Sequence, residues 1–135
     1  MHAKDHMRDL VRAYKVLADE SRLRVLNLIL ERECCVCEVV QALDVSQSKA
    51  SRILNALYDA GFLKLRREGL WSLYSIDQDR ISAHLRGVLE ATRMACEDNQ
   101  QVAADRERLK LAERVGPGCA GTVRRPQLSP EPRQA

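Results

Sequence analysis

The sequence predicts a mainly α-helical protein with a two-stranded β-hairpin, arranged as a winged helix-turn-helix that pairs into a dimer. Hydrophobic residues make up 45% of the 135 residues but aromatic residues only 4%, which is typical of helical cores built from Leu, Val, Ile and Ala. Apolar residues also recur at helical spacing along most of the chain, and they change to an alternating pattern after Gly61.

Length and composition predict one domain followed by a tail. A chain of 135 residues is long enough for one compact domain and too short for two. All four prolines follow Val115, so we expect a domain over residues 1–115 and a flexible C-terminal tail over residues 116–135. No apolar run approaches the roughly 20 residues of a membrane-spanning helix, and the N-terminus does not resemble a signal peptide. We therefore expect a cytoplasmic protein with reduced cysteines and no membrane partner.

Four helices are predicted up to Gly61 from apolar residues that recur every three or four positions. Asp19 and Ser46 are suited to cap the second and fourth helices by accepting a backbone hydrogen bond, and Gly61 is suited to end the fourth. The expected helices lie around residues 10–17, 20–30, 35–43, and 46 to 59 or 60.

A hairpin and a long helix are predicted after Gly61. Leu63 and Leu73 belong to two alternating segments, with a tight turn expected at Glu68-Gly69 between them. From Ile81 onward the helical spacing returns, and we expect one long helical segment that continues as far as Leu111. The apolar face of its first half, together with that of the first helix, is a candidate dimer interface.

The fourth helix and the hairpin carry a concentration of positive charge. Residues 46–67 contain five basic residues and one acidic residue, a net charge of +4, whereas the whole chain carries +3. Such a cluster neutralises phosphates, while a polar helix face can read base edges in the major groove and hairpin arginines can contact the backbone or minor groove. The candidate residues for contact with double-stranded DNA are Ser46, Gln47, Ser48, Lys49, Ser51, Arg52, Arg66 and Arg67.

Three cysteines, Cys34, Cys35 and Cys37, lie just before this region. One cysteine would more often be a small core residue, but three within four positions favour a site for soft ions such as As(III), Sb(III), Cd(II) or Cu(I). On an ideal helix Cys35 and Cys37 point about 200° apart, so a centre that holds both would have to distort the start of the third helix. We expect that deformation to weaken the DNA contact, because the third helix supports the fourth.

Several stretches of the chain have a recognisable combination of motifs. They are ADESRLRVL (18–26), CVCE (35–38), ALDVSQSKASR (42–52) and GLW (69–71), followed by Tyr74. Together they resemble the ArsR/SmtB family of metalloregulatory repressors. The resemblance covers roughly residues 8–90, and its Cys-Val-Cys element is similar to that of the arsenite-responsive branch. It implies a homodimeric repressor that leaves its operator when As(III) or Sb(III) binds, with no catalytic cofactor and no enzyme activity.

The third sulfur ligand departs from the pattern of that branch. A further cysteine often follows three residues after the pair, but Val40 occupies this position here. Cys34 is our candidate for the third ligand beside Cys35 and Cys37, and two-sulfur coordination is a further alternative. Zinc-sensing relatives use several ligands on the last helix, where this chain offers His84 alone. The other candidate sulfurs are Cys96 and Cys119.

Two alternatives to a metalloid sensor remain open. A repressor of the same fold would sense oxidants or reactive sulfur species if Cys34 or Cys35 paired with Cys96. A small thiol oxidoreductase is the more distant alternative, because the sequence has no Cys-x-x-Cys after a strand, no phosphate-binding loop and no βαβ pattern.

Overall fold

The computed structural model describes residues 6–115, and these form a winged helix-turn-helix as predicted. Helices α3 and α4 are the helix-turn-helix, and the hairpin of β1 and β2 is the wing. The expected tail over residues 116–135 lies outside the described residues. In chain order the elements are α1 (His6–Leu17), α2 (Glu20–Glu31), α3 (Val36–Leu43), α4 (Gln47–Asp59), β1 (Leu63–Glu68), β2 (Trp71–Ile76), α5 (Ala83–Ala95) and α6 (Gln100–Leu111).

The predicted N-caps of α2 and α4, and the predicted end of α4, are confirmed. The side chain of Asp19 accepts a hydrogen bond from the backbone nitrogen of Arg22 at 3.0 Å, and that of Ser46 accepts one from Lys49 at 3.1 Å. Each cap satisfies a backbone donor that has no partner within the helix. Gly61 follows α4 with a φ of +97°, a conformation that favours glycine. The apolar spacing of α4 places Ala50, Leu54 and Leu57 on its buried face.

The wing turn lies one residue further along than predicted. Glu68 pairs with Trp71 at the end of the hairpin, so the loop consists of Gly69 and Leu70. Gly69 has a φ of +61°, and its position as the first of two loop residues is where a type II′ turn places glycine. Leu70 at the tip is 62% exposed.

The predicted long C-terminal helix is two helices. Helix α5 ends at Ala95, and α6 begins after Asn99, whose side chain accepts a hydrogen bond from the backbone nitrogen of Val102 at 2.9 Å. After this turn α6 packs against α2 and α3. The buried carboxylate of Asp105 on α6 accepts two hydrogen bonds of 2.8 Å from Arg24 on α2. Helix α6 is therefore part of the core that supports the cysteines.

The surface between α1 and α5 is apolar and open. Val11 and Tyr14 on α1 are 45% and 57% exposed, and Met94 on α5 is 65% exposed. A groove of about 600 Å³ runs between the two helices, and Leu10 and Val88 are among its lining residues. The sequence analysis named this face, formed by α1 and the first half of the long C-terminal segment, as the candidate dimer interface. Over residues 6–115 no helix is both long enough and apolar enough to cross a membrane.

Candidate thiol site and nucleic-acid interface

The loop between α2 and α3 is joined to the wing through Cys34. The backbone nitrogen of Cys34 donates to the carbonyl oxygen of Tyr74 at 3.0 Å, and the nitrogen of Tyr74 donates to the carbonyl oxygen of Cys34 at 2.8 Å. The buried thiol of Cys34 lies 3.4 Å from the carbonyl oxygen of Arg32. Cys34 therefore extends the hairpin by one bridge, and it lies outside α3, the helix that carries Cys37.

The sulfurs of Cys35 and Cys37 are adjacent. Cys35 has extended backbone angles and caps α3, whose first residue is Val36. The two Sγ atoms are 2.8 Å apart, and both side chains are buried. The expectation that these sulfurs point in opposite directions is wrong, because it treated Cys35 as part of the helix. No unwinding of α3 is needed to bring them together.

Glu38 organises the charges around the pair. Its buried carboxylate accepts a hydrogen bond from the backbone nitrogen of Cys35 at 2.9 Å, which forms half of a capping box. Arg32 and Arg114 pair with the same carboxylate at 3.1 and 3.3 Å. The negative charge of Glu38 near the thiols is thus balanced by two guanidinium groups.

Burial raises the pKa of two thiols of the loop, those of Cys34 and Cys35. Desolvation raises the pKa of Cys35 to about 11, although backbone N–H groups of Glu38 and Cys37 act in the opposite direction. Desolvation, with a smaller contribution from Glu38, raises the pKa of Cys34 to about 12. A soft ion that bonds to such a thiol must displace its proton.

The remaining candidate ligands are dispersed. Within residues 6–115, no three side chains of His, Cys, Asp or Glu are grouped as a metal site. Cys96 and His84 line the groove between α1 and α5, and the ring of His84 lies 4.8 Å from that of His6. Cys119 lies outside the described residues. Any third sulfur beside Cys35 and Cys37 would therefore have to be brought to the pair.

An apolar cluster covers the thiol pair. Leu73 is fully buried with Cys35 and Cys37, and Trp71 and Val115 pack against them. The sequence analysis did not assign Trp71 or Val115 to the site. No local signal identifies Val115, because it reaches the cysteines only through the return of α6 across α3. Since Trp71 is the single tryptophan of the chain, its fluorescence should report on events at this cluster.

The predicted DNA-contacting residues of α4 share one surface. Ser51 is half-buried, and the others, from Ser46 to Arg52, are exposed. Asn55, which the sequence analysis did not single out, lies on the same face, and its side-chain oxygen accepts a hydrogen bond from the hydroxyl of Tyr74 at 3.3 Å. The residues that line a shallow depression on this face are Gln47, Ser48, Ser51, Arg52 and Asn55.

The two wing arginines differ in their surroundings. Arg66 donates two hydrogen bonds to Glu33, at 2.8 and 2.9 Å, and one to Glu68 at 3.0 Å. This ion pair lowers the pKa of Glu33. Arg67 is exposed, and no carboxylate of residues 6–115 forms an ion pair with it. The charge count over residues 46–67 omitted Glu33 and Glu68, so it overstated the positive charge of the wing.

Comparison with known proteins bears on the helix-turn-helix and on the thiol loop. Residues 19–64 match the family model described as bacterial regulatory protein, arsR family. Over 93 residues the chain is 42% identical to the arsenic resistance transcriptional regulator ArsR1 of Pseudomonas putida, and the match covers 64% of this chain and 73% of that protein. The chain belongs to the ArsR family. This ArsR-family chain is therefore a transcriptional regulator with a DNA-binding helix-turn-helix.

Two further proteins are similar to this chain. The arsenical resistance operon repressor of Escherichia coli K12 is 42% identical over 76 residues, which cover 56% of this chain and 61% of that protein. A solved structure of a homodimeric winged helix-turn-helix DNA-binding domain from Mycobacterium bovis gives a TM-score of 0.58 at 23% identity, covering 74% of this chain and 93% of that one. At that identity the likeness supports the fold alone.

Proposed function

We propose that this ArsR-family protein is a homodimeric, cytoplasmic repressor that leaves its operator when As(III), or the chemically similar Sb(III), bonds to Cys35 and Cys37. The observation that carries the proposal is the adjacency of these two sulfurs, 2.8 Å apart in a buried cluster against the wing. Thiolates favour soft ions, and the relatives from P. putida and E. coli are named for arsenic resistance.

Release of DNA would follow a route through the loop and the wing. A metalloid atom bonded to both sulfurs repositions Cys35, and the adjacent Cys34 is hydrogen-bonded to Tyr74 on β2. Tyr74 in turn contacts Asn55 on α4. This route takes the place of helix unwinding, and it requires only that the metalloid bind more tightly to the released conformer than to the DNA-bound one.

The dimer would form through α1 and α5. Their exposed apolar residues and the groove between them provide a continuous surface for a second copy of the chain. Two-fold symmetry then places one α4 in each half of an inverted repeat, with half-sites separated by one helical turn or a multiple of it. The polar residues of α4 read base edges, while Arg66 and Arg67 contact the backbone or the minor groove.

The oxidant-sensing alternative has less support from the geometry. It requires Cys34 or Cys35 to pair with Cys96, but Cys96 lines the groove between α1 and α5, whereas Cys34 and Cys35 lie against the wing. The enzyme alternative gains nothing from the comparisons, because the matched family and the relatives from P. putida and E. coli are regulators.

The proposal is tested by following release of a labelled DNA fragment taken from upstream of the protein's own gene. Fluorescence anisotropy is measured with arsenite, antimonite, Cd(II), peroxide and persulfide, on the wild type and on Cys96→Ser. We expect arsenite and antimonite to release the fragment from both proteins. Release by persulfide or peroxide that requires Cys96, with no response to arsenite, would favour the oxidant alternative and exclude our proposal.

A further inference from the structure

We propose that residues 112–115 form a gate over the thiol pair, and that a soft ligand reaches Cys35 and Cys37 only when this gate lifts. The inference rests on the proposed function, because it names the entrance to the same site. Helix α6 packs against α3, and the gate follows α6 outside any helix or strand. Val115, the last residue of the gate, packs against the cluster that contains both cysteines.

The sulfurs of the pair are enclosed. Cys37 is 0% exposed, Cys35 is 1% exposed, and Leu73, which packs with them, is 0% exposed. A ligand atom must come within bonding distance of a sulfur, so some part of the enclosure has to move before a bond forms. Folded proteins open locally in this way, and segments with few buried contacts open most readily.

The wing side of the enclosure is held by backbone hydrogen bonds. Leu73 and Trp71 belong to β2, which pairs with β1 along its whole length. On its other edge β2 is joined to Cys34 by two further backbone hydrogen bonds. Moving the wing away from the sulfurs would therefore break backbone bonds on both edges of β2.

The gate, by contrast, is held by side chains of α3. Gln41, which is 4% exposed, donates to the carbonyl oxygen of Glu113 at 2.7 Å and accepts from its nitrogen at 3.0 Å. Arg114, whose side chain is 30% exposed, pairs with Glu38 at 3.3 Å. Lifting the gate breaks these contacts without disrupting a helix or a strand. Water can then bond to the freed groups of Glu113, which offsets part of the loss.

A gate affects the rates of ligand exchange more than the affinity. The same opening precedes both entry and exit of a ligand, so a variant that weakens the gate should raise both rates. The equilibrium affinity should then change less than either rate. A change in the sulfurs themselves would instead alter the affinity.

The test compares two gate variants with two matched controls in the reduced full chain. Arg114→Ala removes the ion pair of the gate, and Lys110→Ala removes an exposed ion pair within α6. Val115→Ala removes apolar contact with the cluster, and Leu111→Ala removes an exposed apolar side chain of α6. A further variant, Gly69→Ala, strains the wing turn, because Gly69 has a φ of +61°.

The probe is phenylarsine oxide, which forms two As–S bonds while its oxygen leaves as water with the two thiol protons, without any change in oxidation state. Stopped-flow mixing follows its capture through Trp71 fluorescence, and transfer to an excess of a small dithiol follows its release. In a separate arm, N-ethylmaleimide reacts with the protein for timed intervals, and mass spectrometry measures the label on Cys35 and Cys37. This second arm reports access to the sulfurs without any metalloid.

We expect capture, release and labelling to be faster in the gate variants. The increase should be about threefold for Arg114→Ala, as for the loss of a partly exposed ion pair, and about tenfold for Val115→Ala, as for the loss of two partly buried methyl groups. Lys110→Ala, Leu111→Ala and Gly69→Ala should match the wild type.

The other outcomes separate the gate from the proposed function. If both gate variants react at the wild-type rates, the gate is excluded, and faster reaction of Gly69→Ala alone would place the entrance at the wing. Either result leaves the proposed function standing. If neither arsenite nor phenylarsine oxide binds the wild type, while maleimide labelling of Cys35 and Cys37 still accelerates in the gate variants, the proposed function fails and the gate over the two sulfurs stands.

Discussion

Cys34 and Tyr74 exchange two backbone hydrogen bonds of 3.0 and 2.8 Å, which join the cysteine loop to the wing. The same tyrosine donates its hydroxyl proton to Asn55 on α4 at 3.3 Å. One residue therefore contacts both the neighbour of the proposed metalloid ligands and the helix proposed to read DNA. This connection provides a physical path by which events at the sulfurs can alter operator binding.

Tyr74→Phe should uncouple metalloid binding from DNA release. The variant loses the bond to Asn55, at a cost of about 1 kcal/mol in stability, while the ring still packs against the core. Arsenite affinity should be unchanged, but the arsenite-induced loss of operator affinity should be smaller than in the wild type. Fluorescence anisotropy of the labelled operator, with and without arsenite, measures the loss of operator affinity. Tyr58→Phe, on the exposed side of α4, is the control. An undiminished response would exclude the tyrosine from the path.

The wing arginines should differ in their effect on DNA binding. Arg67→Ala should reduce the slope of log affinity against log salt by about one, as expected for the loss of one phosphate contact. Equal salt slopes for the wild type and Arg67→Ala would contradict the proposed phosphate contact.

Glu33→Gln should raise operator affinity, because it removes a carboxylate that forms an ion pair with Arg66.

Removing the buried carboxylate of α6 should destabilise the protein. Asp105→Ala leaves Arg24 without its partner inside the α2–α6 interface, and we expect a loss of about 3 kcal/mol in the free energy of unfolding. Glu107→Ala, which breaks an exposed pair with Lys110 on the same helix, should cost less than about 0.5 kcal/mol. Urea unfolding compares the two variants, and similar losses would mean that α6 does not depend on the buried pair.

The elements predicted correctly were those specified by neighbouring residues. Ser46, the apolar spacing of α4 and Gly61 act within one helix, so its span and its buried face follow from the sequence. Helix α6 was missed as a separate element because its buried face is Val102, Asp105 and Leu109. A charged residue in the middle of that face hides the apolar period, and its partner lies 81 positions away in the chain.

The cysteine cluster was recognised, but its geometry was not. Residue spacing identifies a thiol pair, whereas the separation of the two sulfurs depends on where α3 begins. Cys35 lies just outside the helix because Glu38 accepts a hydrogen bond from its backbone nitrogen. One residue of uncertainty in a helix boundary thus reversed the expected orientation of Cys35 relative to Cys37.

The buried thiol of Cys34 should make stability depend on alkaline pH. Its pKa is raised from 9.0 to about 12, so the folded chain retains a proton that the unfolded chain releases above pH 9. The stabilisation from this group is complete below pH 9 and is lost as the pH rises toward 12. From about pH 8 to about pH 10.5, the wild type should lose about 2 kcal/mol more than Cys34→Val in urea unfolding. Parallel pH profiles would contradict the burial of this thiol.

The most direct test of metalloid-controlled release titrates arsenite into the protein–operator complex while anisotropy and Trp71 fluorescence are recorded on the same sample. The wild type and Cys96→Ser should lose the operator as Trp71 responds, with both signals complete at one arsenite per subunit. Cys35→Ser and Cys37→Ser should bind the operator normally and retain it throughout. Arsenite-driven release from the two serine variants, or a Trp71 response in the wild type with the operator still bound, would contradict the account.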